Sequence, residues 1–353
     1  MVCHQCKSSE KVVGETLGAC RSCIVEGRPD LEKQFAALHG KIRQNTNLPS
    51  SPPRSRKASL CRICYRTCRP AAGEKGYCGL RENRNGHLVH LAGVPQKGLL
   101  DCYHDPLPTN CVSQWACRAR GRDYLGKKNL AVFYGACTLN CLFCQNWQYR
   151  ALTSELKPLF TAQELADRVD KQTACICFFG GDPAPQSPHA LAAARRALKK
   201  NPDLIVCWET SGLMRKSFLE RMIAYSLATG GTLKFDLKAY HRSLYYALTG
   251  GDNRPVLKNF ARCARLSREK GVTLAVASTL MVPGYVEEDE VYAIASFIAA
   301  HNPDTPYSLL GFFPQFQMRD LRPTSRRQAE ACLKAAKQAG LRRVKLGNEP
   351  LLL

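Results

Sequence analysis

The sequence predicts an α/β protein that contains a partial (β/α)6 barrel and a cysteine-rich N-terminal extension. From about residue 129 onward, short apolar runs rich in β-branched and aromatic residues alternate with amphipathic stretches. This alternation is typical of consecutive parallel βα units. The preceding residues are rich in cysteine and glycine and show no such alternation. We therefore expect the regular fold in the C-terminal part of the chain.

Seven apolar runs are candidate strands, and six amphipathic stretches between them are candidate helices. The predicted strands span residues 130–134, 174–179, 204–208, 232–237, 273–282, 307–313 and 343–346. The predicted helices span residues 161–171, 188–200, 215–229, 256–270, 287–300 and 325–339. This many consecutive units favours a TIM-type partial barrel over a doubly wound sheet. A barrel of this type carries its functional loops at the carboxyl ends of the strands.

Composition divides the chain into four regions. Residues 1–44 form a short cysteine-rich segment, and residues 45–59 are rich in proline and serine, which predicts a flexible linker. Residues 60–128 form a second cysteine-rich module. Residues 129–353 contain the predicted partial barrel.

The bulk composition favours a folded, metal-binding protein. Of 353 residues, 45% are hydrophobic, yet no run is long and apolar enough to span a bilayer. The N-terminus has no signal-peptide pattern, so we expect a cytoplasmic protein, in which 19 cysteines favour metal ligation over disulfides. The formal net charge of +22 fits an acidic partner such as nucleic acid, or simply a basic, soluble surface.

The central motif is a group of three cysteines directly after the predicted strand at 130–134. Cys137, Cys141 and Cys144 have C-x3-C-x2-C spacing, and no fourth cysteine follows nearby. Thiolates are soft ligands that select iron–sulfur clusters, zinc or copper(I). Because three ligands are one fewer than a closed site needs, one corner of a metal centre stays open for a substrate or cofactor.

Other candidate binding residues follow later predicted strands. Gly180, Gly181 and Asp182 follow the second strand, where glycine lets the backbone approach a ligand closely, although a Gly-Gly turn is also an ordinary connection. Ser211 follows the third strand and is either a binding hydroxyl or a helix N-cap.

A charged pair, Asp236 and Lys238, follows in an otherwise apolar strand. Such a pair needs partners, which a zwitterionic ligand would supply. The alternative is that the two side chains form a structural ion pair with each other.

Together these motifs resemble the signature of radical S-adenosylmethionine (SAM) enzymes. The three cysteines, with the aromatic Phe143 before the last of them, are similar to the motif of that superfamily. The Gly180-Gly181-Asp182-Pro183 segment resembles its Gly-Gly-Glu-Pro element, with aspartate in place of glutamate.

Two features resemble particular branches of the superfamily. The Asp236-Leu237-Lys238 segment is similar to an element of the pyruvate formate-lyase activating-enzyme branch. The segment from Cys141 to Trp147 resembles the radical SAM proteins found beside Memo-type proteins. The resemblance covers roughly residues 60–350.

The resemblance implies a [4Fe–4S] cluster held by the three cysteines, with SAM bound at the fourth iron. It implies reductive cleavage of SAM to a 5′-deoxyadenosyl radical that abstracts hydrogen from a substrate, with electrons from a donor such as flavodoxin or ferredoxin. The substrate is either the glycine of a glycyl-radical protein or another peptide, RNA, lipid or metabolite. The residues implied to surround the cofactor are Phe143, Gly180, Gly181, Asp182, Ser211, Asp236 and Lys238.

Two further cysteine groups have metal-binding spacing. Cys3, Cys6, Cys20 and Cys23 form two C-x2-C pairs, which favours zinc over an iron–sulfur cluster. A segment this short needs a metal or another cross-link to fold. Its zinc-knuckle character keeps open a different class of function, a nucleic-acid-binding protein with a degenerate barrel.

The second group lies in the module at residues 60–128. Its ligands, Cys61, Cys64, Cys68 and Cys78, fit either a zinc site or an auxiliary [4Fe–4S] cluster.

Overall fold

The structure, a computed structural model, describes residues 1–109 and 111–353. The chain forms two compact units. The first unit contains Met1–His39, Leu139–Gln145 and Phe235–Leu353, and the second contains Gly40–Thr138 and Asn146–Lys234. Each unit combines helices with β-strands, so the predicted α/β class is confirmed.

The described residues contain eleven strands and ten α-helices. The strands are β1 (Arg81–Arg84), β2 (His87–His90), β3 (Gly98–Pro106), β4 (Lys128–Tyr134), β5 (Leu159–Phe160), β6 (Thr173–Gly180), β7 (Ile205–Thr210), β8 (Leu233–Asp236), β9 (Ala275–Met281), β10 (Tyr307–Gly311) and β11 (Val344–Gly347). The helices are α1 (Arg21–Val25), α2 (Leu31–Gln44), α3 (Tyr149–Glu155), α4 (Ala162–Asp167), α5 (Ser187–Lys200), α6 (Lys216–Thr229), α7 (Arg242–Thr249), α8 (Arg254–Lys270), α9 (Glu288–His301) and α10 (Arg326–Gln338).

In the second unit, five strands lie in the order β5-β3-β4-β6-β7. The β4–β6 and β6–β7 pairs are parallel, whereas β3 is antiparallel to both β4 and β5. A separate hairpin pairs β1 with β2. The parallel strands all end at the same edge, which places the loops after β4, β6 and β7 together.

In the first unit, β9, β10 and β11 lie side by side and are parallel. The first two residues of β8 belong to the second unit and its last two residues belong to the first. The hydroxyl of Ser278 in β9 donates a hydrogen bond to Asp236, the last residue of β8, at 2.7 Å. The amide of Leu237 also donates to the carbonyl of Ser278, at 2.9 Å.

The alternation of side chains along β6 and β7 fixes which residues face the helices. Trp208 is fully buried, stacks on Phe178 with 4.6 Å between ring centroids, and donates from Nε1 to Ser226 of α6 at 3.1 Å. Since successive strand residues point to opposite faces, the neighbours Cys177 and Cys207 point away from α6. These two cysteines are paired in register across the two strands.

Every predicted strand and helix has a counterpart, with ends shifted by a few residues. The sequence did not predict helices α1, α2, α3 and α7 or strands β1, β2, β3 and β5. Strand β3 was missed because Asp101, His104 and Asp105 interrupt its apolar pattern. Within residues 1–109 and 111–353, no helix has both the length and the apolar character needed to cross a membrane.

A buried histidine in the second unit predicts a pH-dependent stability. His189 is fully buried, its Nδ1 pairs with the hydroxyl of Tyr134 at 2.9 Å, and its Nε2 pairs with the carbonyl of Phe160 at 3.0 Å. Burial lowers the pKa of His189 to about 4. The unfolded chain therefore takes up a proton below pH 6.5 while the folded chain does not, so stability is lost as the pH falls from about 6.5 to about 4.

We expect this loss to reach about 3 kcal/mol, since a difference of one in pKa corresponds to about 1.4 kcal/mol. Denaturant unfolding of the wild type and of His189→Gln across this pH range measures it. The variant should show the shallower dependence on pH, and an equally steep dependence in both would contradict the assignment.

Candidate functional site

The three-cysteine loop divides between the two units. Cys137 belongs to the second unit, whereas Cys141 and Cys144 belong to the first. Cys141 is buried, and Cys137 and Cys144 are partly exposed.

Backbone hydrogen bonds hold the part of the loop that lies in the first unit. The amides of Asn140 and Leu142 donate to the carbonyls of Thr249 and Leu248 at the end of α7, at 2.9 and 3.0 Å. The carbonyl of Leu142 accepts from the amide of Gln317 at 2.9 Å. The backbone on either side of Cys141 is thus fixed before any ligand binds.

His39 of α2 adds a side-chain anchor to the same loop. Its Nδ1 pairs with the side-chain amide of Asn140 at 3.0 Å, and its Nε2 lies 3.0 Å from the carbonyl of Ala247. His39 is only 3% exposed. This role could not be predicted from the sequence, because an isolated histidine in an N-terminal helix carries no motif.

Lys238 lies close to the cysteine loop in the first unit. Its ammonium group is 5.7 Å from the centroid of the Phe143 ring and 3.4 Å from the carboxylate of Asp236. That carboxylate also accepts a hydrogen bond from Ser278. The arrangement places a positive and a negative group beside the residue between two cysteines, as a zwitterionic ligand requires.

In the second unit, the carboxylate of Asp182 joins three loops that follow parallel strands. Its oxygens accept hydrogen bonds from Thr138 at 3.0 Å, from Thr210 at 2.7 Å and from Ser211. The amide of Ala184 donates to it as well, at 3.0 Å. Because Thr138 directly follows Cys137, this carboxylate ties the start of the cysteine loop to the loops after β6 and β7.

Asp182 is only 2% exposed, and burial raises the pKa of its carboxyl group while the hydroxyl and amide donors lower it. A buried carboxylate needs several donors to remain stable. Asp182 therefore acts as an organising residue in this structure. Its predicted contact with SAM, and that of Ser211, remain predictions.

Gly180 and Gly181, at the end of β6, are required because the backbone of residues 134–136 passes very close to them. Gly180 has φ of +99°, and a side chain there would place Cβ 2.5 Å from the amide nitrogen of Tyr134. A Cβ on Gly181 would overlap the carbonyl oxygen of Ala136. The carbonyl of Gly180 also accepts from Asn146 at 3.1 Å. The two glycines thus let the loops after β4 and β6 pack together, and their predicted contact with SAM stays a prediction.

The N-terminal cysteines form a compact thiol group within the first unit. The Sγ atoms of Cys3 and Cys23 are 4.0 Å apart, and those of Cys6 and Cys20 are 3.8 Å apart. Within the described residues, this is the only set of three or more His, Cys, Asp or Glu side chains whose ligand atoms all lie within 4.8 Å of one another. A tetrahedral ion with metal–sulfur bonds of about 2.3 Å separates its sulfurs by about 3.8 Å, so a single metal ion fits.

This segment docks onto the loop before α9. The hydroxyl of Tyr285 accepts from the amide of Gly14 at 2.8 Å and donates to the carbonyl of Ala19 at 3.1 Å. Arg21 pairs with the fully buried Glu290 at 3.0 Å. The thiol group is therefore continuous with the folded core of its unit.

The second cysteine group surrounds a cavity within the second unit. Cys61, Cys64, Cys68 and Cys78 line a space of about 330 Å³ together with two arginines, Thr138 and neighbouring backbone. Burial raises the pKa of Cys61 and Cys64, and raises that of Cys68 to about 11. No three of these four sulfurs lie mutually within 4.8 Å, unlike the N-terminal group.

A second cavity, of about 420 Å³, lies against β6 and β7 in the same unit. Its wall contains the carboxylate of Glu209, which pairs with Lys234 at 2.7 Å and accepts from the thiol of Cys111 at 3.1 Å. The thiol of Cys207 donates to Cys117 and lowers the pKa of Cys117 to about 7. We name this space the thiol cavity; its cysteines are Cys111, Cys117, Cys175, Cys177 and Cys207.

Comparison with known proteins identifies a family model that matches part of the chain. The family model of the Radical SAM superfamily matches residues 131–298, which contain the three-cysteine motif and the loops after β6, β7 and β8. Residues 131–298 are therefore a radical SAM domain, and its superfamily implies an enzyme with a [4Fe–4S] cluster and SAM. The predicted resemblance to this superfamily is confirmed for residues 131–298.

Among individual proteins, an uncharacterised protein of Methanocaldococcus jannaschii, MJ0808, is 23% identical over 294 residues, covering 82% of this chain and 81% of that protein. A solved domain of pyruvate-formate lyase-activating enzyme from Bacteroides vulgatus is 19% identical, with a TM-score of 0.39, and covers 49% of this chain and 98% of that chain. Streptococcus suis SuiB is 14% identical, with a TM-score of 0.42, and covers 60% of this chain and 47% of that chain.

The structure adds residues that the sequence did not identify. Thr138 and Thr210 complete the donors around Asp182, and Ser278 holds Asp236. Glu209 and Lys234 form a buried pair in the thiol cavity. Thr138, Glu209 and Thr210 lie in the loops after predicted strands, where functional loops are expected, whereas Lys234 and Ser278 lie within predicted strands and carry no such signal.

Proposed function

We propose that this protein is a radical SAM enzyme in which Cys137, Cys141 and Cys144 hold the catalytic [4Fe–4S] cluster. When bound, the cluster and SAM supply an electron and a 5′-deoxyadenosyl radical that abstracts hydrogen from the substrate. The observation that carries the proposal concerns the start of the three-cysteine loop. Thr138, which directly follows Cys137, donates a hydrogen bond to the Asp182 carboxylate.

The chain's own residues would bind and orient the cofactor. Asp236 and Lys238 offer opposite charges to the amino and carboxylate groups of SAM, and Phe143 offers an apolar surface beside Lys238. The backbone of Gly180 and Gly181 offers close approach, while the Asp182 hydrogen bonds hold the surrounding loops in place. The electron would come from a donor such as flavodoxin or ferredoxin. A chain of net charge +22 would attract such a donor if the donor is acidic.

The test is anaerobic reconstitution of the full chain with iron and sulfide, followed by incubation with SAM and dithionite. We expect a brown protein that releases 5′-deoxyadenosine and methionine in equal amounts. A colourless protein that contains only zinc and releases neither product would overturn the proposal and favour a zinc-knuckle nucleic-acid-binding protein.

The thiol cavity is the proposed substrate site. It lies against β6 and β7, the strands whose ends carry Gly180–Asp182 and Ser211. The pair of Glu209 and Lys234 supplies fixed charges in an otherwise apolar wall. An apolar wall with one charged pair suits a metabolite or a single side chain of a peptide, which includes a residue of a glycyl-radical-type protein.

Filling this cavity should block turnover. Metabolite or peptide extracts are first screened for stimulation of 5′-deoxyadenosine formation by the wild type. We expect the same extracts not to stimulate Cys177→Phe, because the larger phenylalanine ring occupies the cavity. Cys177→Ser, which conserves the size of the side chain, is the matched control and should respond. An undiminished response of Cys177→Phe would place the substrate elsewhere.

The N-terminal thiol group is proposed as a structural zinc site, because its sulfur spacing fits one tetrahedral ion. We expect Cys6→Ala/Cys20→Ala to lose one zinc per chain and about 2 kcal/mol of stability, which lowers Tm by about 5 °C. Metal analysis and thermal unfolding measure both effects. Cys332→Ala, which removes a buried thiol of α10, is the control and should keep the zinc. An unchanged zinc content in Cys6→Ala/Cys20→Ala would refute the site.

A further inference from the structure

The cavity lined by Cys61, Cys64, Cys68 and Cys78 is built differently from the N-terminal thiol group. Four thiols bound to a single zinc ion place their sulfurs about 3.8 Å apart. No three of these sulfurs come mutually within 4.8 Å, although all four line the same cavity. In an iron–sulfur cluster each thiolate binds a different iron, so wider separation around a central volume is the expected arrangement.

Positive charge surrounds the same cavity. Arg81 is 1% exposed, and no carboxylate lies within salt-bridge distance of it in residues 1–109 and 111–353. Its Nη1 donates to the sulfur of Cys78 at 3.6 Å and its Nε pairs with His90 at 3.3 Å, but its Nη2 has no acceptor. A buried guanidinium without an anion is costly, so the geometry calls for a negatively charged group in the cavity.

A second arginine repeats this pattern. Arg66 lines the cavity, its Nε donates to the carbonyl of Thr138 at 2.6 Å, and its buried Nη2 has no acceptor. The amide of Tyr77 donates to the sulfur of Cys68 at 3.3 Å. Arg81 and the Tyr77 amide thus donate to two of the four sulfurs, and Arg66 adds a second positive charge to the cavity wall, as expected where thiolates carry negative charge.

We propose that Cys61, Cys64, Cys68 and Cys78 bind an auxiliary [4Fe–4S] cluster, with Arg81 and Arg66 as its charge-compensating donors. Its four thiolates close the cage, so this cluster holds no substrate at an open iron. Thr138 lines the cavity and directly follows Cys137. The auxiliary cluster would therefore lie next to the start of the loop proposed to hold the catalytic cluster.

The test uses the full chain without the catalytic thiolates, Cys137→Ala/Cys141→Ala/Cys144→Ala. After anaerobic reconstitution we expect about four iron and four sulfide ions per chain, with the absorbance of a [4Fe–4S] cluster. Adding Cys64→Ala/Cys78→Ala should remove this iron and sulfide, whereas adding Cys332→Ala as the control should not. Because the readout is iron in a chain that cannot cleave SAM, it is independent of the proposed function.

Two further measurements keep the proposal falsifiable if the multiple variants fold poorly. The wild-type chain should contain about eight iron ions in two clusters that Mössbauer spectroscopy distinguishes. In Arg81→Gln, loss of the positive charge should lower the midpoint potential of one cluster and leave the other unchanged. A wild-type chain with about four iron ions and a second equivalent of zinc would overturn the proposal.

Discussion

Alanine at Cys137, Cys141 or Cys144 is expected to reduce the formation of 5′-deoxyadenosine from SAM to background. A three-thiolate site has no spare ligand, so loss of one thiolate leaves the cluster with too few ligands to persist through turnover. The backbone hydrogen bonds of Asn140 and Leu142 do not depend on the cysteine side chains, so the loop should keep its fold. The measurement is product formation by each reconstituted variant under dithionite.

Matched controls separate this effect from a general loss of thiols. Cys263→Ala and Cys332→Ala remove fully buried cysteines of α8 and α10 and should keep most of the activity. Iron analysis of each active-site variant should show the loss of about four iron ions relative to the wild type. Product formation by any of the three active-site variants at the wild-type rate would contradict the proposed ligand set.

Replacing Asp182 with alanine is expected to destabilise the second unit by about 2–4 kcal/mol. The change removes the common acceptor of Thr138, Thr210 and Ser211, all of which are buried, together with that of the Ala184 amide. It also releases the start of the cysteine loop, so cluster retention should fall along with stability. Denaturant unfolding and iron analysis after reconstitution measure the two effects.

Asp182→Asn is the informative comparison. The amide keeps one acceptor oxygen, and the three hydroxyls can rotate so that one of them accepts from its NH₂ group. Because burial raises the pKa of the Asp182 carboxyl group, the neutral asparagine also avoids the cost of a buried charge at neutral pH. We expect Asp182→Asn to be within about 1 kcal/mol of the wild type. Equal stability of Asp182→Ala and the wild type would exclude the organising role.

The order of strands and helices was predictable because each parallel unit buries a regular apolar pattern. Strand β6 is almost fully buried, and the periodicity of α8 places its apolar residues on one face. Strand β3 and helix α7 were not predicted, since polar residues interrupt the first and the second has only eight residues. In both, packing against neighbours decides the structure where the local pattern is weak.

The candidate site was predictable in its residue types but not in its connections. The thiols and glycines carry spacing signals, whereas the meeting of Thr138, Asp182 and Thr210 depends on three loops far apart in sequence. Spacing also could not distinguish zinc from iron–sulfur at Cys61–Cys78, because both take four thiolates. That distinction depends on sulfur separation, which is a property of the folded chain.

The contacts of Glu290 have a consequence for metal supply. This fully buried carboxylate binds Arg21 of the N-terminal segment and also accepts from the amides of Tyr240 and His241, which closely follow Lys238. Free energy gained when the N-terminal thiols bind a metal therefore stabilises the same unit that presents Lys238. If the N-terminal thiols bind zinc and the three-cysteine loop binds an iron–sulfur cluster, as proposed, the fraction of chains competent to bind SAM would depend on the supply of both metals.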